Sequence, residues 1–87
     1  MVEHKLKTIN PFFQNVWNGE KTFEIRFNDR DFKSGDILAL MEYDLRTKTY
    51  LNRIINCRVT YLLSDHRYVK EGFVVMGIKI ISKVEEE

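Results

Sequence analysis

The spacing of apolar residues near the amino terminus predicts one short helix. Four of them recur on a single helical stripe, namely Phe12, Phe13, Val16 and Trp17. The pair Asn10-Pro11 is typical of a helix start, because Asn can cap free amide groups and Pro has no amide hydrogen to lose there. Gly19 stands where a left-handed residue would end the helix. We therefore expect an amphipathic helix over residues 11–18.

After the helix, apolar and polar residues alternate, and this period of two is typical of a half-buried strand. The apolar phase of residues 22–27 holds Phe23, Ile25 and Phe27. We expect that phase in the core, with Glu24 and Arg26 on the polar face. Further strand-like segments lie at residues 5–8, 37–41, 55–63 and 73–81. The polar residues 44–48 stand between two tyrosines and predict a hairpin.

Five or six strands with one certain short helix predict an α+β fold built as a small mixed β-barrel. A barrel is favoured because an open sheet would expose two strand edges and one apolar face. The chain has no internal repeat, linker or low-complexity segment, so we expect a single domain over residues 1–87. The predicted core consists of Phe23, Ile25, Leu38, Leu40, Val59, Val75 and Ile78.

The composition is that of a folded globular domain, with 44% hydrophobic and 31% charged residues. A net charge of +1 provides no overall attraction to nucleic acid or an anionic membrane, so polyanion binding would need a local patch. With one cysteine and two histidines, we expect no disulfide, no metal site and no cofactor. The chain lacks a signal peptide and a membrane-spanning run, which favours a cytoplasmic protein without a membrane partner.

The strongest candidate site is a cluster of charges just after the predicted helix. The sequence contains no phosphate-binding glycine loop, nucleophile elbow or zinc-protease motif. Lys21, Glu24 and Arg26, by contrast, bring two cations and a carboxylate together within a few residues. On periodicity alone, they form a solvated strand face whose ion pair contributes less than about 1 kcal/mol.

A family resemblance gives that cluster a second interpretation. Residues 19–26, Gly-Glu-Lys-Thr-Phe-Glu-Ile-Arg, resemble the Gly-x-Lys-x-x-Glu-x-Arg signature of ASCH domains, which belong to the PUA-like superfamily. A small bacterial and phage branch of that superfamily, catalogued as a domain of unknown function, is similar at further segments. These are residues 4–7, 11–13, 28–32, 35–36 and 72–78. The chain is thus identified as a single ASCH/PUA-like domain.

The resemblance implies a PUA-like β-barrel in which the signature strand lines a cleft for RNA or a nucleotide-like ligand. Lys21 and Arg26 would donate hydrogen bonds to a phosphate or a base carbonyl. Glu24 would accept from a base amino group or hold Arg26 in place. His4 is a further candidate as a donor or an acid in the cleft, with a structural histidine as the other interpretation.

Arg30 is the last candidate for contact with the ligand. The run Asp29-Arg30-Asp31 precedes a glycine turn, and runs of this kind more often tie their own loop together through charge-assisted bonds. We therefore expect a structural role for Arg30 and keep ligand binding as the alternative.

Two other functions stay open from the sequence. Some relatives with an ASCH-type fold are amidohydrolases acting on acetylated cytidine nucleosides, through a Lys, a Thr three residues later and a downstream acid. Lys21 matches, but Glu24 occupies the Thr position, so we expect binding rather than catalysis. A hydrolase would have to rely on Lys21 and Glu24. The second alternative is an accessory protein of a phage or mobile element that binds a protein partner through an exposed sheet edge.

Overall fold

The computed structural model describes residues 2–86, and in that range the chain forms five strands and one helix. The elements in chain order are β1 (Glu3–Ile9), α1 (Phe12–Trp17), β2 (Phe23–Phe27), β3 (Ile37–Asp44), β4 (Thr49–Leu63) and β5 (Phe73–Glu85). The helix is one residue shorter at each end than predicted, and β1, β3, β4 and β5 are longer. Backbone pairing with a neighbouring strand continues where the side chains are exposed, so the strands extend beyond the residues that alternate in polarity.

The five strands form one mixed sheet in the order β1-β3-β4-β5-β2. β1 and β3 run parallel, and every other neighbouring pair runs antiparallel. The register of β4 and β5 shifts between Asn56 and Cys57 and again between Val59 and Tyr61. Such irregularities bend the strand and increase its twist. The sheet curls into a half-barrel, which confirms the predicted small α+β domain with a barrel-like mixed sheet.

The short helix α1 has the ends that the sequence predicts. The side-chain oxygen of Asn10 accepts a hydrogen bond from the backbone N–H of Gln14 at 3.0 Å. Gly19 has a φ of +80°, and its N–H donates to the carbonyl of Val16 at 2.9 Å. Phe13 and Val16 are buried, so one face of the helix packs into the core. In the described part of the chain, no helix has the length and apolarity required to cross a lipid bilayer.

The core unites α1 with the inward faces of the sheet. Its members are Leu6, Phe13, Val16, Phe32, Leu38, Leu40, Ile55, Cys57, Val59, Val74, Met76 and Ile78. Four residues of the predicted core are confirmed, namely Leu38, Leu40, Val59 and Ile78. Val75 is only half-buried, whereas its neighbours Val74 and Met76 are fully buried. The inward phase of β5 at this point is therefore the opposite of the predicted one.

The predicted phase of β2 is wrong. Phe23 is 41% exposed and Ile25 is 54% exposed, while Glu24 between them is 3% exposed. The cause is the pairing of β2 with β5, in which Glu24 lies opposite the buried Met76. Directly opposed residues of an antiparallel pair project from the same face of the sheet. Glu24 and Arg26 therefore project inwards, and the apolar residues of β2 project outwards.

Candidate functional site

The two edge strands of the half-barrel, β1 and β2, face each other across a gap that we call the seam. A pocket of about 510 Å³ opens in this gap, and we call it the seam pocket. It is lined by Lys7, Thr8, Ile9, Phe12, Lys21, Phe23, Glu24, Ile25 and Arg26. The three charged residues singled out in the sequence, Lys21, Glu24 and Arg26, therefore meet at one cavity.

Glu24 is the centre of a charge cluster at this pocket. Its Oε2 atom accepts a hydrogen bond from Lys21 Nζ at 2.6 Å. Its Oε1 atom accepts from Arg26 Nε at 3.0 Å and lies 2.9 Å from Arg26 Nη2. Lys21 Nζ also donates to the backbone carbonyl of Phe23. Both oxygens of the buried carboxylate are engaged by cations, which offsets the cost of removing its charge from water.

Two arginine side chains bridge the seam to β1. Arg26 Nη1 donates to the carbonyl of Lys7 at 3.0 Å, and Arg26 Nη2 donates to Thr8 Oγ1 at 3.0 Å. Arg30 Nη1 donates to the carbonyl of Lys5 at 2.8 Å. An edge strand presents unpaired backbone groups that need partners. The two guanidinium groups supply donors to the edge of β1, where another strand would otherwise pair.

Apolar side chains form a second wall of the seam pocket. Phe12 at the start of α1 is 50% exposed, and it joins the outward-facing Phe23 and Ile25 of β2. Lys21 Nζ lies 4.9 Å from the centre of the Phe23 ring, within the range of a cation–π contact. The outward phase of β2 and the start of α1 therefore each place one aromatic ring at this cavity, with that of Phe23 beside Lys21.

The pocket carries more positive than negative charge. Its charged lining residues are Lys7, Lys21 and Arg26 against the single carboxylate of Glu24. Lys21 and Arg26 are both paired with Glu24, whereas Lys7 has no ion pair within residues 2–86. Lys7 Nζ instead lies 4.5 Å from the centre of the Tyr43 ring. Among the cationic residues that line the pocket, Lys7 is therefore the one without a carboxylate partner in the described chain.

The side of the pocket formed by β1 and α1 was missed from the sequence. It consists of Lys7, Thr8, Ile9 and Phe12. These residues contact β2 because β1 pairs with β3 and the whole sheet curls. Neither feature produces a recognisable pattern in the local sequence. A partial signal was the spacing of Lys5 and Lys7, which places two cations on one face of a strand.

His4 lies outside the pocket lining and has partners of its own. Its Nε2 atom is 2.8 Å from Asp36 Oδ2, and its ring packs edge-on against Phe32 at 4.7 Å between centroids. Burial raises the pKa of Asp36, but the hydrogen bonds from His4 and from the backbone N–H of Lys33 outweigh it and hold that pKa below its ordinary value. This arrangement ties β1 to the residue before β3 and supports the structural interpretation of His4.

Arg30 also lies outside the pocket lining, although it belongs to the seam. The expectation that it ties its own loop together is wrong, because its guanidinium group reaches across to the carbonyl of Lys5. Asp31 pairs instead with Lys33 at 3.2 Å. Arg30 therefore has a structural role, but that role is to hold the two edges of the half-barrel together.

The described side chains at the pocket do not include an activated nucleophile. Thr8 Oγ1 donates to the carbonyl of Leu6 at 3.3 Å and accepts from Arg26, and neither neighbour is a base. Cys57 is buried in the core, and burial raises the pKa of its thiol to about 12. Among residues 2–86, no three His, Cys, Asp or Glu side chains converge in a way that could hold a metal ion.

Comparison with known proteins places this site within a family. No curated protein matched the chain. The family model of a domain of unknown function, DUF3850, matches residues 3–78. That range contains every residue that lines the seam pocket and both arginines that bridge it. The chain therefore belongs to the DUF3850 family.

Proposed function

We propose that this chain is an RNA- or nucleotide-binding domain of the ASCH/PUA-like type, with its ligand in the seam pocket. The observation that carries the proposal is the composition of that pocket, in which exposed aromatic rings stand beside an excess of positive charge. Aromatic faces stack on any nucleobase, and cations pair with the phosphate of the same nucleotide. A nucleotide carries a base and a phosphate, so it can contact both the aromatic rings and the cations of the pocket.

The residues of the Gly-x-Lys-x-x-Glu-x-Arg string support this proposal by their position. Lys21, Glu24 and Arg26 all line the pocket, and Glu24 holds the other two in fixed positions. An ammonium group has three N–H donors, of which Lys21 uses two, for Glu24 and for the carbonyl of Phe23. One donor of Lys21 is left for the ligand.

Arg26 can be counted in the same way. A guanidinium group has five N–H donors, and Arg26 uses three of them in hydrogen bonds to Glu24, Lys7 and Thr8. Two donors remain, one on Nη1 and one on Nη2. Lys21 and Arg26 can therefore position a base or phosphate oxygen, while Lys7, which is not paired with a carboxylate in the described chain, supplies the charge for a phosphate.

The proposal is tested by the affinity for a short labelled oligouridylate, measured by fluorescence anisotropy at two salt concentrations. Lys7→Ala removes the available cation, and we expect weaker binding with a salt slope that is lower by about one. Phe12→Ala removes a half-exposed ring, and we expect an affinity loss of about fivefold or more. Because the net charge of the chain is only +1, the wild-type slope should correspond to few phosphates.

A matched control removes the same charge elsewhere. Lys79 is exposed on β5 and does not line the seam pocket, so Lys79→Ala should bind like wild type. Equal binding by wild type, Lys7→Ala and Phe12→Ala would reject the seam pocket as the binding site. Absence of binding by the wild-type protein to any short RNA or mononucleotide would reject the proposed function itself.

The geometry supports binding over hydrolysis of acetylated cytidine nucleosides. A carboxylate that acts as a general base on water needs an oxygen that water can reach. Both oxygens of Glu24 already accept hydrogen bonds from cations, and the residue is almost fully buried. The hydroxyl of Thr8 lines the pocket but has an arginine where an activating base would have to be.

A further inference from the structure

The free edge of β2 faces the seam, and the hydrogen bonds of its ends show which residues form that edge. The N–H of Ile78 donates to the carbonyl of Thr22 at 3.0 Å, and the N–H of Asn28 donates to the carbonyl of Gly72 at 2.8 Å. In an antiparallel pair, residues alternate between those that bond to the partner strand and those that face away. The even-numbered residues of β2 therefore bond to β5.

The odd-numbered residues of β2 turn their backbone N–H and C=O groups towards the seam. These are Phe23, Ile25 and Phe27. The carbonyl of Phe23 accepts from Lys21 Nζ, and the carbonyl of Phe27 accepts from the N–H of Asp29 at 2.9 Å. Neither the N–H nor the C=O of Ile25 has a partner on this side within residues 2–86. Ile25 thus presents an open donor and an open acceptor at the seam pocket.

This pair of groups has a definite chemical complement. The N–H and C=O of one residue in a strand point the same way, so they match a planar ligand edge with an acceptor beside a donor. The Watson–Crick edge of every unpaired nucleobase carries such a pair, and unpaired bases are commonly bound by that edge while they stack on aromatic side chains. Exposed aromatic rings, Phe12 and Phe23, line the same pocket as Ile25.

We infer that the seam pocket binds one unpaired nucleobase through its Watson–Crick edge, which hydrogen-bonds to the backbone of Ile25. The base lies against the exposed rings of the pocket, and its phosphate is neutralised by Lys7. The inference rests on the proposed function and specifies what that site recognises. It excludes base-paired RNA, because the edge that Ile25 contacts is occupied in a duplex.

The same edge is a poor site for an added peptide strand. Strand addition needs open donors and acceptors at several alternate residues along the edge. On β2 the carbonyls on either side of Ile25 are already bonded, to Lys21 and to Asp29. Arg26 and Arg30 also cross the seam to β1, where an inserted strand would have to lie. One small planar group fits these conditions better than an extended chain.

The test compares three mononucleotides by calorimetric titration of the intact protein. The probes are uridine 5′-monophosphate, its 3-methyl derivative and its 5-methyl derivative. The 3-methyl group removes the donor of the Watson–Crick edge, and we expect its affinity to be at least about tenfold lower. The 5-methyl derivative has the same added bulk with the edge intact, so it should bind like the parent nucleotide. In a parallel NMR titration, the parent nucleotide should shift the amide resonance of Ile25. The 3-methyl derivative should cause a much smaller shift.

A protein variant provides an independent check. Ile25→Pro removes the N–H that faces the seam, and an edge strand tolerates proline at such a position. We expect Ile25→Pro to bind the parent nucleotide more weakly than wild type, because the base carbonyl loses its donor, and still to bind the 3-methyl nucleotide less well than the parent, because the C=O of residue 25 is kept. Ile25→Ala keeps both the N–H and the C=O, so it should bind the parent nucleotide more tightly than Ile25→Pro does, and equal affinities of the two variants would contradict the bond to the N–H. If Ile25→Pro does not fold, the nucleotide series alone decides the question.

The outcomes separate this inference from the proposed function. Equal affinity for the parent and 3-methyl nucleotides, with both weakened by Lys7→Ala, would overturn the recognition by Ile25 and leave nucleotide binding in place. No binding of any mononucleotide or short RNA would overturn both. Saturable binding of an extended peptide, with amide shifts at all three odd residues of β2, would make the seam a protein-interaction site instead.

Discussion

The seam and the opposite side of the half-barrel close the same sheet by different means. On the opposite side, β3, β4 and β5 form a continuous antiparallel ladder whose inward side chains include Leu38, Leu40 and Ile55, all fully buried. At the seam, side-chain guanidinium groups bond to backbone carbonyls, and the inward residues of β2 are the charged Glu24 and Arg26. The ladder gives a tightly packed apolar wall, whereas the seam gives a cavity lined by both charged and apolar side chains.

The two buried glutamates sharpen the contrast. Glu42 on β3 accepts from Arg53 at 2.9 and 2.8 Å and from Asn10 at 2.7 Å, and the hydrogen bond from Arg53 is the main reason its pKa lies below the ordinary value. Arg53 also stacks over Trp17 and bonds to Gln14, so this cluster anchors α1. The cluster around Glu24 instead lines an open pocket. Similar ion pairs thus attach the helix at Glu42 and hold hydrogen-bond donors in place at Glu24.

The largest expected difference between the two regions is in the effect of apolar truncation. Leu40→Ala removes a fully buried side chain from the ladder side and should lower the free energy of unfolding by about 2–5 kcal/mol. Ile25→Ala removes a half-exposed side chain at the seam and should lower it by less than about 1 kcal/mol. Urea unfolding followed by circular dichroism measures both. Similar losses for the two variants would contradict the outward phase of β2.

Removal of the carboxylate at the seam should have the next largest effect. Glu24→Ala leaves Lys21 and Arg26 without their acceptor, and we expect a loss of about 3 kcal/mol. Glu24→Gln keeps an acceptor oxygen of similar size and should lose clearly less stability. Urea unfolding at neutral pH compares the two variants with wild type. If Glu24→Ala were as stable as wild type, the cluster would be a solvated surface group and not a buried one.

Acidification should weaken the contacts that hold β1 and α1 to β3, through the carboxylates of Asp36 and Glu42. A group whose pKa is depressed by folding stabilises the folded state above its unfolded pKa, and that contribution is lost as the pH falls through the folded pKa. Asp36 and Glu42 both have lowered pKa values, so the urea midpoint should fall as the pH drops below about 4. A variant with Asp36→Asn and Glu42→Gln should show a flatter profile than wild type. An equally steep profile in that variant would assign the acid sensitivity to other groups.

The smallest expected signal is in a catalytic assay, in which we expect no turnover. Wild-type protein incubated with N4-acetylcytidine should release no cytidine above the uncatalysed rate, as followed by liquid chromatography, because the hydroxyl and the carboxylate at the pocket are both held by Arg26. Turnover that disappears in both Lys21→Ala and Glu24→Gln would overturn the preference for a binding domain. It would show that the charge cluster of the seam is catalytic.

The features that were predicted well from the sequence are those that depend on residues adjacent in the chain. The helix start at Asn10-Pro11 and its end at Gly19 follow from local backbone chemistry. The hairpin between β3 and β4 follows from a polar turn between Tyr43 and Tyr50, whose rings meet at 4.9 Å. The fold class follows from the number and period of the strands. Each of these needs no knowledge of distant contacts.

The site was predicted only in part because its other half comes from distant pairing. Alternation shows which residues of β2 share a face, but not which face is inward. That choice is made by the register with β5, and it puts Glu24 rather than Phe23 inside. The contribution of Lys7 depends on the parallel pairing of β1 with β3. The rule that apolar residues face the core fails here because the register with β5 turns the apolar residues of β2 outwards.

The strand order has a consequence for how the molecule assembles. β3, β4 and β5 are consecutive in the chain and adjacent in the sheet, so their pairing closes only short loops. β1 pairs with β3 across the helix and β2, and β2 pairs with β5 across more than half of the chain, so both edges form at a higher entropic cost. We therefore expect the strand walls of the seam pocket to dock last in folding and to open first. In hydrogen exchange, the amides of β1 and β2 should lose protection by local opening, while those of β4 should require global unfolding. Local opening of β1 and β2 gives a ligand access to the pocket while the rest of the molecule stays folded.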